Sequence, residues 1–241
     1  MPYILYEGPS KIDNAPLVVL AAGIHTRSKN SKTGDMVQTY ILRADKSPIE
    51  AQKDGDDYSI CGNCQHRKTS CYVNIAQGPR AIWASYKRGN NKTQALEHLG
   101  GDRLVRLGAY GDPSAVPIHI WESLCRFSKG HTGYTNSWNE PWCDQKLKKY
   151  CMASVNNEDE AQRAAENGWR YFRVKTPDMG KLKGEAVCPA SQESGKLLQC
   201  MDCLACDGTA KKRRGNIVIN VHGVAHKIAK FEEETQKCLT P

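Results

Sequence analysis

The sequence predicts an α/β fold: an irregular or partial (β/α) barrel with an N-terminal β-rich region and cysteine-ligated metal-binding loops. Three observations lead there. From residue 103 onward, short apolar runs alternate with helix-start signals in five successive β-then-α units. Their connections allow only local winding, which favours a parallel sheet. The first sixty residues instead carry three apolar or β-branched runs separated by turn formers. Eleven cysteines, several of them closely grouped, complete the pattern. Residues 1–60 are expected as a β-rich region packed on a (β/α) unit of residues 61–241, with a doubly wound open sheet as the alternative architecture.

The N-terminal strands are expected at Pro2–Tyr6, Leu17–Gly23 and Met36–Arg43. The polar stretch His25–Asp35 reads as a hairpin loop whose glycine and hydroxyls could cradle a phosphate without P-loop spacing. An acidic glycine turn at Lys53–Tyr58 leads to the first cysteines, and helices are expected near Pro79–Arg88 and Lys92–Leu99. Arg103–Ala109 reads as a strand. Asp112 before Pro113 is a helix start, a carboxylate cap followed by proline at N1, opening a helical segment to about Ser128. Thr132–Ser137 is the next strand, followed by a short helix from Asn139-Glu-Pro141 to Tyr150. Strand Cys151–Val155 precedes a helix capped near Asn157–Glu160 and ended by Gly168. Arg170–Lys175 and Asn216–Val221 are the last strands, and a helix from Val224 to Glu234 closes the chain.

In either architecture the reactive groups gather at the carboxyl ends of the strands. Reading off those ends gives Tyr110 and Asp112, Asn136 and Trp138, Asn156, Arg173 and Lys175, and His222. Candidate catalytic residues are therefore Asp112, Asn136, Asn156, Lys175 and His222. Taken singly, Asp112 is also a helix cap and His222 beside Gly223 a strand end.

Lys and Arg exceed Asp and Glu by 34 to 26, a formal net charge of +8. That balance leans toward nucleic acid or a phosphate-bearing ligand as partner. The composition lies far from the disordered corner, and no run approaches the length needed to span a bilayer. The N-terminus lacks a basic segment before an apolar one, so a cytoplasmic location is expected. Lys211-Lys-Arg-Arg214 is either a phosphate-contacting run or a solvated loop. Trp83 with Tyr86, Lys87 and Arg88 forms an aromatic–basic helix patch, able to stack on a base or to pack as core.

Cysteine carries the strongest signal. An odd number of cysteines in a chain read as cytoplasmic points to metal ligation or catalytic thiols rather than disulfides. Cys200, Cys203 and Cys206 follow each other at two-residue gaps, with Cys188-Pro189 upstream. Bacterial ferredoxins use such a run plus a distant cysteine, so Cys188, Cys200, Cys203 and Cys206 are expected to bind an iron–sulfur cluster of the [4Fe-4S] type, with zinc as the alternative. Cys61, Cys64 and Cys71 lie within eleven residues without a nearby fourth. They fit either a Cys₃His zinc site completed by His66 or a cluster with one open iron position. Cys125, Cys143, Cys151 and Cys238 stand alone and are expected to be buried as small hydrophobes.

The stretches CGNCQHRKTSCYVNIAQGPRAIWASYKRG, VRLGAYGDPSAVP, GYTNSW, MASVNNEDEAQRAAENGWRYFRV and CPASQESG…CMDCLACDG resemble a family of uncharacterised, mostly phage-encoded cysteine-rich proteins, over roughly residues 28–223. The resemblance implies a viral or prophage origin and the host cytoplasm, and no reaction. The general plan is also distantly similar to radical-SAM enzymes, which join a partial barrel to a three-cysteine cluster and often an auxiliary one. Their C-x3-C-x2-C signature is replaced here by C-x2-C-x6-C, and no Gly-Gly-Glu motif is present, so S-adenosylmethionine is not expected. Two functions follow. One is a redox or radical-type iron–sulfur enzyme with its site at the carboxyl ends of the strands. The other is a zinc-stabilised nucleic-acid-binding protein of phage replication or host takeover.

Overall fold

β1 (Tyr3–Pro9), β2 (Pro16–Ala22) and β3 (Val37–Arg43) form at the three N-terminal apolar runs. This computed structural model describes residues 1–28, 30–196, 198–209 and 215–239, with side chains to Thr235. The basic run Lys211–Arg214 and the Cys238 side chain lie outside the described residues.

Where only a turn is expected before the first cysteines, two helices form, α1 (Pro48–Asp54) and α2 (Tyr58–Cys61). α1 has a full capping box: Ser47 Oγ accepts from Glu50 N while the Glu50 carboxylate accepts from Ser47 N. α3 (Gly78–Lys87) follows. The helix expected from Lys92 begins later, because Lys92–Thr93 is drawn out as β4 along the edge of β1, and α4 spans only Leu96–Gly100.

Then come β5 (Leu104–Tyr110), α5 (Ile118–Cys125) and β6 (Gly130–Thr135). Next are β7 (Met152–Val155), α6 (Glu158–Glu166) and β8 (Tyr171–Lys175). A short β9 (Glu185–Val187), α7 (Cys200–Cys203), β10 (Asn216–Asn220) and α8 (Ala225–Leu239) complete the chain. β9 was not legible in the sequence. The helix expected after Asn139 is a 3-10 turn at Gln145–Lys149, capped by Asp144.

All ten strands form one sheet in the order β4-β1-β2-β3-β5-β6-β7-β8-β10-β9. β2 pairs antiparallel with both neighbours, and every other pairing is parallel. The N-terminal strands thus belong to the same sheet as the (β/α) units, joined where β3 pairs with β5. Among the described residues the two edge strands, β4 and β9, do not pair with each other, so the sheet is open.

From β3 to β8 the order never reverses. A doubly wound sheet needs a reversal, because right-handed crossovers change face only when the winding changes direction. Right-handed crossovers along this run put α5 and α6 on the same face. There α5 buries Trp121 and Leu124 with Val105 and Leu107 of β5, and α6 buries Ala161 and Ala164 with Ala153 and Val155 of β7. The opposite, inner face carries a second, smaller core of Met152, Ile217 and Ile219 with Cys188 and Cys206. Strand register puts the same parity inward on each strand: Arg106 beside Thr132, Tyr134 beside Met152, Ser154 beside Phe172, and Val174 beside Ile219.

Candidate functional site

A cavity of about 210 Å³ opens on that inner face. Its floor is built by inward side chains of β5, β6, β7 and β8, including Arg106, Thr132, Tyr134, Ser154, Phe172 and Val174. Cys61, Cys64 and Cys71 border it from one loop, and Cys188 and Cys200 from another. The two cysteine groups, over a hundred residues apart in sequence, therefore share one chamber.

The first group is held by α2 and α8. Asp112 links it to the sheet: its N donates to Ile60 O at 2.6 Å, one residue before Cys61. Its carboxylate accepts from Ser114 N (2.9 Å), Thr135 Oγ1 (2.7 Å) and Asn136 N (2.7 Å). Asp112 is thus the expected helix cap and also the tie between the ends of β5 and β6. Burial pushes its carboxyl up, against the pull of those donors.

On the far side, α8 lies over the cysteine loop. Phe231 stacks on His66, Lys227 Nζ donates to Thr69 O, and Ser70 Oγ donates to Glu234. His66 borders the cavity, but both ring nitrogens are engaged, Nδ1 with Ser70 Oγ at 2.7 Å and Nε2 with Asn156 Oδ1 at 2.9 Å. Asn156 Nδ2 donates to Glu160, so its Oδ1 takes the Nε2 proton. As folded, His66 orients the loop and turns no free nitrogen toward the three cysteines. Burial pushes the Cys64 thiol up to about 12 and raises those of Cys61 and Cys71.

The second group is anchored by the loop before β3. Cys200 N donates to Lys32 O (3.0 Å) and Met201 N to Thr33 O (3.1 Å). Gly34 makes this approach possible: its φ is +72°, and a Cβ there would run into the Met201 side chain. Cys188 N donates to Val218 O at 2.8 Å, and the Tyr134 hydroxyl meets the Cys206 sulfur. Burial raises the Cys206 thiol most, and charge on Cys188, Cys200 or Cys203 would raise it further, so the four lie within electrostatic reach of one another. Arg170 fixes the end of the loop through Ala205 O, Asp207 and Gly208 O. Among the described residues, no group of three or more His, Cys, Asp or Glu is arranged to hold a metal ion.

Of the residues expected at the strand ends, Tyr110, Asp112, Asn136 and His222 line the chamber, and Asn156 reaches it through His66. Trp138 is buried in the outer core. Arg173 and Lys175 do not reach the chamber, for a reason of parity. They alternate with the inward Phe172 and Val174, so Arg173 pairs with Glu185 in the outer layer and Lys175 lines a separate depression. Trp83 and Tyr86 are also occupied within the fold, Trp83 Nε1 donating to Arg43 O and Tyr86 Oη to Glu7. Cys143 and Cys151 are buried as expected, and Cys125 is half-buried.

The sequence reading missed Arg106 and Lys32. Arg106 interrupts the apolar strand Leu104–Tyr110 at an inward position, a signal the alternation rule could have raised. Lys32 Nζ lies 2.6 Å from His222 Nε2, whose Nδ1 faces Asn220 O at 3.2 Å. The consistent assignment is a neutral His222 that donates from Nδ1 and accepts at Nε2. A comparison with known proteins adds no relative, since no family model, curated protein or solved structure matches the chain.

Proposed function

We propose that the chain is an iron–sulfur protein acting as a redox or radical-type enzyme, with its reaction site in the chamber on the inner face of a partial barrel. The observation that carries this reading is that cysteines of both groups border one cavity. The unreversed order of the parallel strands from β5 to β8 supports the partial barrel, because right-handed crossovers that keep one direction put α5 and α6 on the same face. The run Cys200, Cys203 and Cys206 at two-residue gaps, with Cys188-Pro189 upstream, is what favours a cluster over zinc. Cys188, Cys200, Cys203 and Cys206 would hold it.

Cys61, Cys64 and Cys71 would hold a second centre. With His66 engaged elsewhere, that centre would lack a fourth protein ligand from its own loop and would face the cavity. Such a position is where a substrate can bind. When bound, the clusters supply one-electron chemistry. Asp112 and Asn136 would fix the loop geometry beside it, and Tyr110 and Thr132 offer hydroxyls to the chamber.

The test is anaerobic purification, reconstitution with iron and sulfide, and metal, sulfide and electron-resonance analysis. The expected product is a brown protein containing acid-labile sulfide, with Cys203→Ser lowering iron content and Cys125→Ser leaving it unchanged. A colourless protein with stoichiometric zinc and no sulfide overturns the reading in favour of zinc-stabilised nucleic-acid binding.

A further inference from the structure

The basic corner of the chamber has neutral partners, Lys32 Nζ on His222 Nε2 at 2.6 Å, and among the described residues no anionic one. Arg106 Nη2 donates to the Tyr72 hydroxyl at 2.9 Å, while its Nε is shut from solvent and bonds to nothing. Among the described residues no carboxylate pairs with Arg106 or Lys32. Glu193 is within electrostatic reach of Lys32, but its Oε1 is taken by Asn220 N at 2.7 Å. Burying a guanidinium with an unsatisfied N–H is costly unless something completes it. Lys32 and Arg106 also repel each other, so the fold holds two like charges together beside a cavity. Next to this corner the wall turns apolar. Tyr134 and Phe172 pack with ring centroids 4.7 Å apart, and Val174 and Val221 continue the surface.

We infer that the chamber binds a small organic anion, with its carboxylate or phosphate group on Arg106 and Lys32 and its apolar body along Tyr134, Phe172 and Val174. A guanidinium and an ammonium lining one cavity within electrostatic reach of each other suit an oxyanion with several acceptor oxygens, Arg through paired N–H bonds and Lys as a point charge. The inference rests on the chamber being the reaction site, and is independent of which metal the cysteines hold.

The experiment is calorimetric titration of the full chain, reconstituted and metal-free, with benzoate, phenyl phosphate and the neutral isostere benzamide. Benzoate or phenyl phosphate should bind, and whichever is tighter identifies the head group. Benzamide should bind at least about tenfold more weakly, since charge-assisted bonds are worth about 1.5–3 kcal/mol. Arg106→Leu and Lys32→Met should each weaken the anion about ten- to a hundredfold while keeping wild-type iron content and circular dichroism. If Arg106→Leu fails to fold, Lys32→Met alone decides, as it leaves the Lys32 carbonyl bond to Cys200 intact. Equal binding of benzamide, unchanged anion affinity in the folded variants, or no binding of either anion overturns the inference. Iron loss in a folded Arg106→Leu with anion binding intact does so too, because it makes Arg106 a counter-charge for the cluster. A protein that carries sulfide but binds no anion leaves the iron–sulfur reading standing, and a zinc protein that binds the anion leaves this inference standing.

Discussion

At the scale of single residues, the fold holds its charges in two different ways. Arg173 and Glu185 are both almost fully buried and meet through two bonds of 2.7 Å, with Glu185 also accepting from Leu182 N at 2.8 Å. This pair is self-contained. Removing one partner strands the other in a low-dielectric layer, so Glu185→Ala should cost about 3–5 kcal/mol in urea unfolding. The double variant Arg173→Met/Glu185→Leu should recover much of that loss, because no charge is left uncompensated. A cost below about 1 kcal/mol for Glu185→Ala would show that water reaches the pair. Arg106 is the opposite case, a half-buried cation whose enclosed Nε is left without an acceptor. Both arginines sit in short strands and read alike in the sequence. Only the side-chain parity of each strand, fixed by register with its neighbours, sends one to the outer layer and the other to the chamber. That register is a non-local property, which is why Lys175 was expected at the site and Arg106 was not.

At the scale of elements, what was legible follows local chemistry. Strands with strong apolar runs and helices with explicit caps appear where expected, as with Asn157, whose side chain accepts from Glu160 N at 2.8 Å at the start of α6. Elements made by tertiary pairing were not legible. β4 and β9 are two and three residues long and exist only because a sheet edge offers them partners. The loop before β3 is a further instance. It reads as solvated, yet it docks on α7 and brings Lys32 to the chamber. Gly34 is the pivot of that docking, with a left-handed backbone and no room for a side chain. Gly34→Ala should cost about 1–3 kcal/mol through backbone strain and displacement of Met201. Proteolysis should quicken around Gln199, where the Gln199 side chain now bonds Ser31 O. Adding Met201→Ala should relieve the clash and leave the strain, so the double variant should fall between wild type and Gly34→Ala in thermal unfolding. No loss in Gly34→Ala would mean that the loop and α7 are not coupled.

At the scale of the whole molecule, the winding of the sheet decides where chemistry can occur. α5 and α6 cover one face, and the other is closed by the two cysteine segments, which include α2 and α7, and by α8. The two loops are closed to different degrees. Cys188 and Cys206 are buried in the inner core with Met152 while Cys200 and Cys203 are half-buried, whereas none of Cys61, Cys64 and Cys71 is fully buried at the chamber rim. If each loop carries iron, the rim site has three thiolates and a position facing the cavity, and the inner site has four. A chelator attacks through open positions and exposed ligands, so iron should leave in two phases. The fast phase should vanish in a Cys61→Ser/Cys64→Ser/Cys71→Ser variant, and the slow phase should lengthen when an anion fills the chamber between the sites. A single phase in the wild type, or a fast phase that survives loss of the rim cysteines, would mean that the chamber does not join two unequal centres.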